Sequence, residues 1–305
     1  MGKAKRQAAR RARERQAQRA ASRRSISART NRTWWQTPTA LGSGALAIVV
    51  IVVVVVVVIG QTSSTTGPTT SDRTPVSTSV LSALTQPSDA TLAAVAGGGQ
   101  PGNLAKLPNS TPTSDSSGKP LVIYVGAEYC PYCAAERWSL IAALSRFGTL
   151  TGLQETMSGA SPEPAPNTST FTFLSATYSS SWIGFQSAEL QDRNKQPLQT
   201  PSAQVLAAFQ QYDKPPYTAQ AEQYPFLDIA DEYVLMNTSY NPVILQGLSW
   251  DQIASQLGDP KNPIALAILG NANIITAAIC HATNNQPQSV CAAPYLQSVA
   301  ASLPS

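Results

Sequence analysis

Residues 121–148 read LVIYVGAEYCPYCAAERWSLIAALSRFG, and this stretch decides the fold. Leu121-Val122-Ile123-Tyr124-Val125 is an unbroken apolar run, the pattern of a strand covered on both faces. From Ala134 to Phe147, apolar residues fall at Trp138, Ile141 and Leu144 and at Leu140, Leu144 and Phe147, which is helical spacing. Gly148 is a natural stop for that helix. Between strand and helix stands Cys130-Pro131-Tyr132-Cys133. The strand delivers the first cysteine to the end of a sheet, and the helix opens at the pair. Unpaired N–H groups and the positive end of the helix dipole then face the first sulfur. That environment stabilises a thiolate, the species that attacks a disulfide. Two intervening residues let Cys133 swing back and resolve the mixed disulfide. Pro131 suits the first turn of a helix, where a missing N–H costs nothing.

Three plainer readings of the pair stand beside redox chemistry: an inert structural disulfide, half of a zinc site, and chance. A zinc ion takes about four ligands. Cys280, Cys291 and His281 remain elsewhere, so four cysteines, or three cysteines and the histidine, can be written as a ligand set. The ten residues between Cys280 and Cys291 are not a zinc-knuckle spacing. The redox reading is preferred, with no metal and no cofactor. Cys280 and Cys291 are expected to form a structural disulfide around a polar loop that includes Asn284-Asn285-Gln286-Pro287; a redox relay to the CPYC pair is the alternative. His281, the only histidine, reads as a solvated helix-end residue.

Charge divides the chain. Of 21 basic and 17 acidic residues, twelve basic and one acidic lie in residues 1–33, leaving nine and sixteen for the rest. The divider is Leu41 to Gly60, twenty residues without a charge that include seven valines from Val52 to Val58. Twenty residues at helical rise cover about 30 Å, the hydrocarbon thickness of a bilayer. Lipid requires every backbone group to be paired internally, so a helix is the single-segment solution even for valine. A signal peptide has an apolar core of about 7–15 residues and short flanks. Here the core is longer and the basic flank exceeds thirty residues, which favours an uncleaved anchor. The positive-inside rule keeps the basic arm in the cytoplasm and puts the C-terminal bulk outside, with Trp34 and Trp35 at headgroup level. The arm has no aromatics to stack on bases, so it reads as a topology signal resting on anionic lipid, not as a nucleic-acid binder. Four cysteines in the outer part fit an oxidising compartment.

The resulting organisation is a basic arm over residues 1–40, a transmembrane helix over 41–60, a Ser/Thr/Pro-rich linker over 61–118 and a folded domain over 119–305. Within the linker, Val80 to Ala96 could form one short helix. In the domain, Phe171 to Tyr178 reads as a second strand, and Pro201 to Tyr212 as a helix with Thr200 as its cap. Tyr224-Pro225 precedes Phe226-Leu227-Asp228-Ile229, and Glu232 to Met236 follows across Ala230-Asp231, a hairpin pattern. Ser249 caps a helix from Trp250 to Leu257, and Ala265 to Ile279 reads as a long apolar helix.

This order of strand, CPYC, helix, strand, helix, X-Pro, hairpin and helix resembles the thioredoxin fold, a central mixed α/β sheet flanked by helices, here with an inserted helical region. CPYC itself resembles the active-site tetrapeptide of glutaredoxins, and YPFLDI with the following YV resembles the cis-proline loop and hairpin of bacterial extracytoplasmic disulfide oxidoreductases. Leu121 to Cys291 is also similar to an actinobacterial and archaeal family catalogued as domain of unknown function 929, in GAEYCPYCAAERWSLIAALSRFG, YPFLDIADEYVL and ANIITAAICHAT. The resemblance implies the fold; with the anchor, the outer compartment and the CPYC pair read above, the expectation is a membrane-anchored, extracytoplasmic thiol–disulfide oxidoreductase. Cys130 would be the nucleophile and Cys133 the resolving thiol, with Pro225 shaping the substrate groove and Tyr132 tuning access. Its partners would be thiol- or disulfide-containing envelope proteins and a membrane redox partner. The alternative is a non-catalytic binding module on the same fold. The sequence departs from thioredoxins in carrying Tyr129, where they have Trp before the first cysteine. Their buried acid has no certain counterpart either; Glu128 reads as a solvated strand-end charge.

The charge asymmetry makes a topology testable. Protease added to intact cells should remove the chain after residue 61 and spare the basic arm. Protection of the C-terminal part would overturn the compartment argument.

Overall fold

The computed structural model describes residues 73–98, 104–108, 112–218, 220–221 and 223–305. The basic arm, the Leu41–Gly60 span and the first part of the linker lie outside the described residues. All described residues belong to one unit, Pro68–Ser305.

The unbroken apolar run forms a central strand because both of its faces are covered. In chain order the first strands are β1 (Thr74–Pro75), β2 (Leu104–Lys106) and β3 (Leu121–Gly126). Every residue of β3 is buried. Its side chains alternate between two cores: Val122 and Tyr124 face one, and Leu121, Ile123 and Val125 face the other. The larger core takes α3 (Pro131–Leu144) and α6 (Pro263–Ala282); the smaller takes α4 (Ala203–Tyr212). The sheet between them also contains β8 (Gly184–Glu189), β9 (Phe226–Ile229) and β10 (Tyr233–Met236), in the order β2-β10-β9-β3-β8. β3 runs parallel to β8, and the other pairs are antiparallel. The chain is thus a mixed α/β structure with a mixed sheet flanked by helices.

The folded unit reaches back before the boundary read at Lys119. Helices α1 (Thr78–Thr85) and α2 (Asp89–Val95) replace the single helix expected there. Ser77 and Ser88, which read as linker composition, are N-caps that accept from Val80 N and Thr91 N. Val80, Leu84, Leu92 and Val95 are buried in the larger core. Asn273 of α6 donates to the Leu92 and Ala96 carbonyls at 2.9 and 2.8 Å, which ties α2 down.

The segment read as one strand, Phe171 to Tyr178, is split. β6 (Ser169–Thr172) pairs with β5 (Gln154–Met157), and β7 (Thr177–Ser180) pairs with β4 (Gly148–Thr151). β1 completes the β5–β6 sheet. These strands cover the back of α3: Trp138 donates to Ser169 O at 3.0 Å and meets Phe171 edge-on at 4.6 Å. The parallel partner of β3 is instead β8, reading GFQSAE, whose edge position tolerates polar residues. The short helical pieces between β10 and α6 are a 3-10 turn (Pro242–Leu245) and α5 (Trp250–Gln256), the latter closed by a capping box from Ser249 and Gln252. α4 is capped by Ser202, not Thr200. The Ala230-Asp231 hairpin turn forms with both residues at φ 56°, and Asp228 accepts from Asp231 N at 2.8 Å. α6 is long and apolar enough to cross a membrane, but 83% of that stretch is buried in the unit.

Cys280 and Cys291 form a disulfide that joins the end of α6 to α7 (Gln288–Cys291), ahead of α8 (Pro294–Ala300). The Cys280→Ser, Cys291→Ser double variant should lose about 2–3 kcal/mol of stability, read as a lower melting temperature, while the CPYC thiols keep their reactivity. Loss of turnover at unchanged stability would instead mark a relay.

Glu136 on α3 is fully buried against α6. Burial pushes its carboxyl up to about 8, against the hydrogen bonds from Thr238, Asn271 and the Ser239 N–H. The folded protein therefore holds a proton that the unfolded chain releases near 4.5, so stability falls as pH rises from there to about 8. Glu136→Gln should match the wild type near pH 5 and exceed it by about 1–3 kcal/mol at pH 8, measured by denaturant unfolding. A parallel pH dependence in the variant would refute this assignment.

Candidate active site

β3 ends at Gly126, and after four intervening residues α3 begins at Pro131. Cys130 is the N-cap of α3, in extended backbone (φ −74°, ψ 120°), with its N–H donating to Ala127 O at 3.2 Å. In the place of a serine or aspartate cap, the Cys130 sulfur accepts from the Cys133 N–H at 3.4 Å. Both cysteines are free thiols; Cys130 is 7% exposed and Cys133 is fully buried.

Their environments set them apart. The Cys133 side chain, the Cys133 and Tyr132 N–H groups and the Arg137 charge hold the Cys130 thiol below its ordinary value, against its burial. Burial, followed by the neighbouring Cys130, pushes the Cys133 thiol well up. The two titrate as a pair, with the negative form favoured on Cys130.

The structure brings the other expected groove residues to the same place. Tyr224-Pro225 is a cis peptide, and the Cys130 thiol donates to the Tyr224 carbonyl at 3.9 Å. Tyr129, Tyr132 and Tyr224 pack around Ala127, Cys130 and Cys133. Gly159 from the loop after β5 donates to Tyr129 O at 2.8 Å; a Cβ there would lie 3.2 Å from that oxygen, a tight contact. His281 is elsewhere. It bonds Glu232, beside the β9–β10 turn and therefore at the opposite end of β9 from Pro225. Cys280 is bonded to Cys291, so the zinc set written from the sequence is not gathered in one place.

Several site residues escaped the sequence reading. Glu128 is 1% exposed, not solvated, and accepts both Arg73 Nε at 2.9 Å and Arg73 Nη2 at 2.7 Å. Arg73 lies in the stretch read as linker. Arg137, four residues after Cys133, is fully buried and paired with Glu189 at the end of β8, at 3.0 and 2.6 Å. It also donates to Ala127 O at 2.9 Å. Burial opposes its charge, but Glu189 and the groups around it maintain that charge. Tyr124 lies under Gly126, where a Cβ would come within 2.3 Å of its hydroxyl, and burial pushes that hydroxyl well up. An arginine on an otherwise apolar helix face was the available signal for this pair.

Residues 108–281 match the family described as Domain of unknown function (DUF929). The chain belongs to that family. The DUF929 segment takes in both CPYC cysteines, Arg137, Glu189 and Pro225, but not Arg73 or Cys291. No curated protein and no solved structure matches the chain.

Proposed function

We propose that this DUF929 protein is a membrane-anchored, extracytoplasmic thiol–disulfide oxidoreductase of thioredoxin-like fold. The fold reading is supported by the order β10-β9-β3-β8, by the parallel β3–β8 pair, and by the helix opening at CPYC. One observation carries the chemistry: the Cys130 sulfur caps α3, where the Cys133 N–H stabilises its thiolate.

In the reducing direction, the Cys130 thiolate attacks one sulfur of a substrate disulfide. A mixed disulfide forms and the other substrate sulfur leaves as a thiolate. Cys133 then displaces the remaining substrate sulfur from Cys130, and the CPYC disulfide closes. The reverse sequence oxidises a substrate dithiol. The reduction potential of the pair against its compartment sets the direction. The Tyr224 carbonyl beside Pro225 offers a substrate backbone an acceptor next to the reacting sulfur. Tyr132, half-buried at the rim, controls approach. Envelope proteins with thiols or disulfides are the substrates, and a membrane redox protein recycles the pair. The basic arm rests on anionic lipid at the inner leaflet.

The 7% exposure of Cys130 favours a second reading, a binding module that holds a partner in the same groove without turnover. One experiment separates them. Cys133→Ser should accumulate mixed disulfides with envelope proteins, because the resolving thiol is gone, and Cys130→Ser should trap few or none. If both variants trap equally, or the folded wild type leaves a disulfide substrate untouched, the oxidoreductase reading gives way to the binding module.

A further inference from the structure

Cys133 presents the chemical difficulty of the site. It must attack as a thiolate, yet it is fully buried, and burial of an uncompensated charge is costly. The groups that surround the pair can be named element by element. On α3 itself stand Cys130, Tyr132 and Arg137; β3 supplies Tyr124, and β8 supplies Glu189. Tyr129 and Tyr224 come from the flanking loops. Lys195, from the loop after β8, lies over the Tyr129 ring at 4.7 Å, acts on Cys130 and pairs with Glu163. The Arg73–Glu128 pair lies beyond, with Asp192 near Arg73. Arg137 is the buried cation among those on the sheet and α3.

Its placement is specific. Cys133 and Arg137 are four residues apart on α3, which puts them on one face, one turn from each other. The guanidinium spends Nε and one hydrogen of Nη2 on Glu189, and reaches Ala127 O with Nη2 as well. That same carbonyl accepts the Cys130 N–H, so Arg137 is tied to the turn that presents the nucleophile. Its Nη1 is buried and has no hydrogen-bond acceptor among the described residues, although the guanidinium lies over the Tyr124 ring at 5.8 Å. A buried donor without a partner costs about 1–3 kcal/mol, and such a group calls for a reason. An anion that exists only during the reaction supplies one.

We propose that Arg137 is the positioning residue that stabilises the Cys133 thiolate in the resolving step, and that Glu189 limits how much of its charge that thiolate feels. The inference rests on the oxidoreductase reading. In the step itself, the mixed disulfide joins Cys130 Sγ to a substrate sulfur. Cys133 loses its proton and its Sγ bonds to Cys130 Sγ. The Cys130–substrate S–S bond breaks, and the electron pair leaves on the substrate sulfur, which takes up a proton. Over both steps the CPYC dithiol gives two electrons to the substrate disulfide. The Arg137 charge, one turn away, then acts on the negative charge formed at Cys133.

Ellman's reagent, 5,5′-dithiobis(2-nitrobenzoate), reads both steps on the reduced full-length protein in detergent. The first thionitrobenzoate released reports Cys130 attack, and the second reports Cys133 resolution. Glu189→Gln keeps an acceptor for Arg137 but removes the opposing charge. The pH profile of its second phase should move down by about one unit. Arg137→Gln should move that profile up and slow the second phase at pH 7 by about tenfold, with a smaller effect on the first; Arg137→Lys should recover part of the loss. Opposite shifts support the proposal, because a purely structural pair would shift both variants the same way. Shifts in one direction, or an unmoved second phase in a folded variant, overturn it. Should Arg137→Gln fail to fold, the sign of the Glu189→Gln shift decides alone. A wild type that releases one equivalent and never the second overturns the oxidoreductase reading itself.

Discussion

β3 carries a helical layer on each face and a hydrogen-bonded strand along each edge, and only four residues separate it from α3. The Cys133 N–H in the first turn of α3 therefore lies inside the protein, away from water. An unmet buried donor costs about 1–3 kcal/mol. The Cys133 N–H finds the Cys130 sulfur. A thiolate is a better acceptor than a thiol, because hydrogen bonds to charged groups are stronger. The packing that buries α3 thus also biases Cys130 toward the negative form. The remainder of the helix is buried in the same way, which is why its polar side chains, Glu136, Arg137 and Ser139, each bond to a neighbouring element.

Buried ion pairs are poor sources of stability, since desolvation offsets much of their attraction and apolar replacements often do as well. The Arg137–Glu189 pair is accordingly more informative about chemistry than about folding. Glu189 is well satisfied: it receives two bonds from Arg137, and the Phe173 N–H donates to it at 3.3 Å. Among the described residues, Arg137 is satisfied on the Glu189 edge and not at Nη1. A charge pair compensated on one edge and open on the other is polarised, and it lies one helical turn from a fully buried thiol.

What could be read from the sequence was local. Leu121 to Val125, the helix after CPYC, the Ala230-Asp231 hairpin and the Ser249 cap each follow from neighbours within a few residues, and each stands in the structure. The misreadings have local causes too. β8 lies at a sheet edge and carries Gln186, Ser187 and Glu189, so it lacks the apolar pattern of a central strand. Phe171 to Tyr178 looks continuous, yet its two ends pair in different small sheets. Ser77 and Ser88 resemble linker composition because a capping serine and a linker serine are the same residue in different surroundings. The thiols at the centre of the site were legible, and their electrostatic frame was not.

That frame is non-local by construction. Arg73 and Glu128 are 55 residues apart, and Arg137 and Glu189 are 52 apart. A lone carboxylate in a sequence reads as solvated, since most are, and only a tertiary contact reveals it as half of a buried pair. The consequence bears on what the CPYC tetrapeptide can determine. Its backbone sets the hydrogen bond that distinguishes the two sulfurs. The balance of charge around them comes from a residue ahead of the helical pair α1–α2, from the interior of α3 and from the end of an edge strand. The same four residues on another frame would cap a helix in the same way, but would meet a different field. The charge balance of the two thiols therefore belongs to the sheet and its flanking segments as much as to the cysteines.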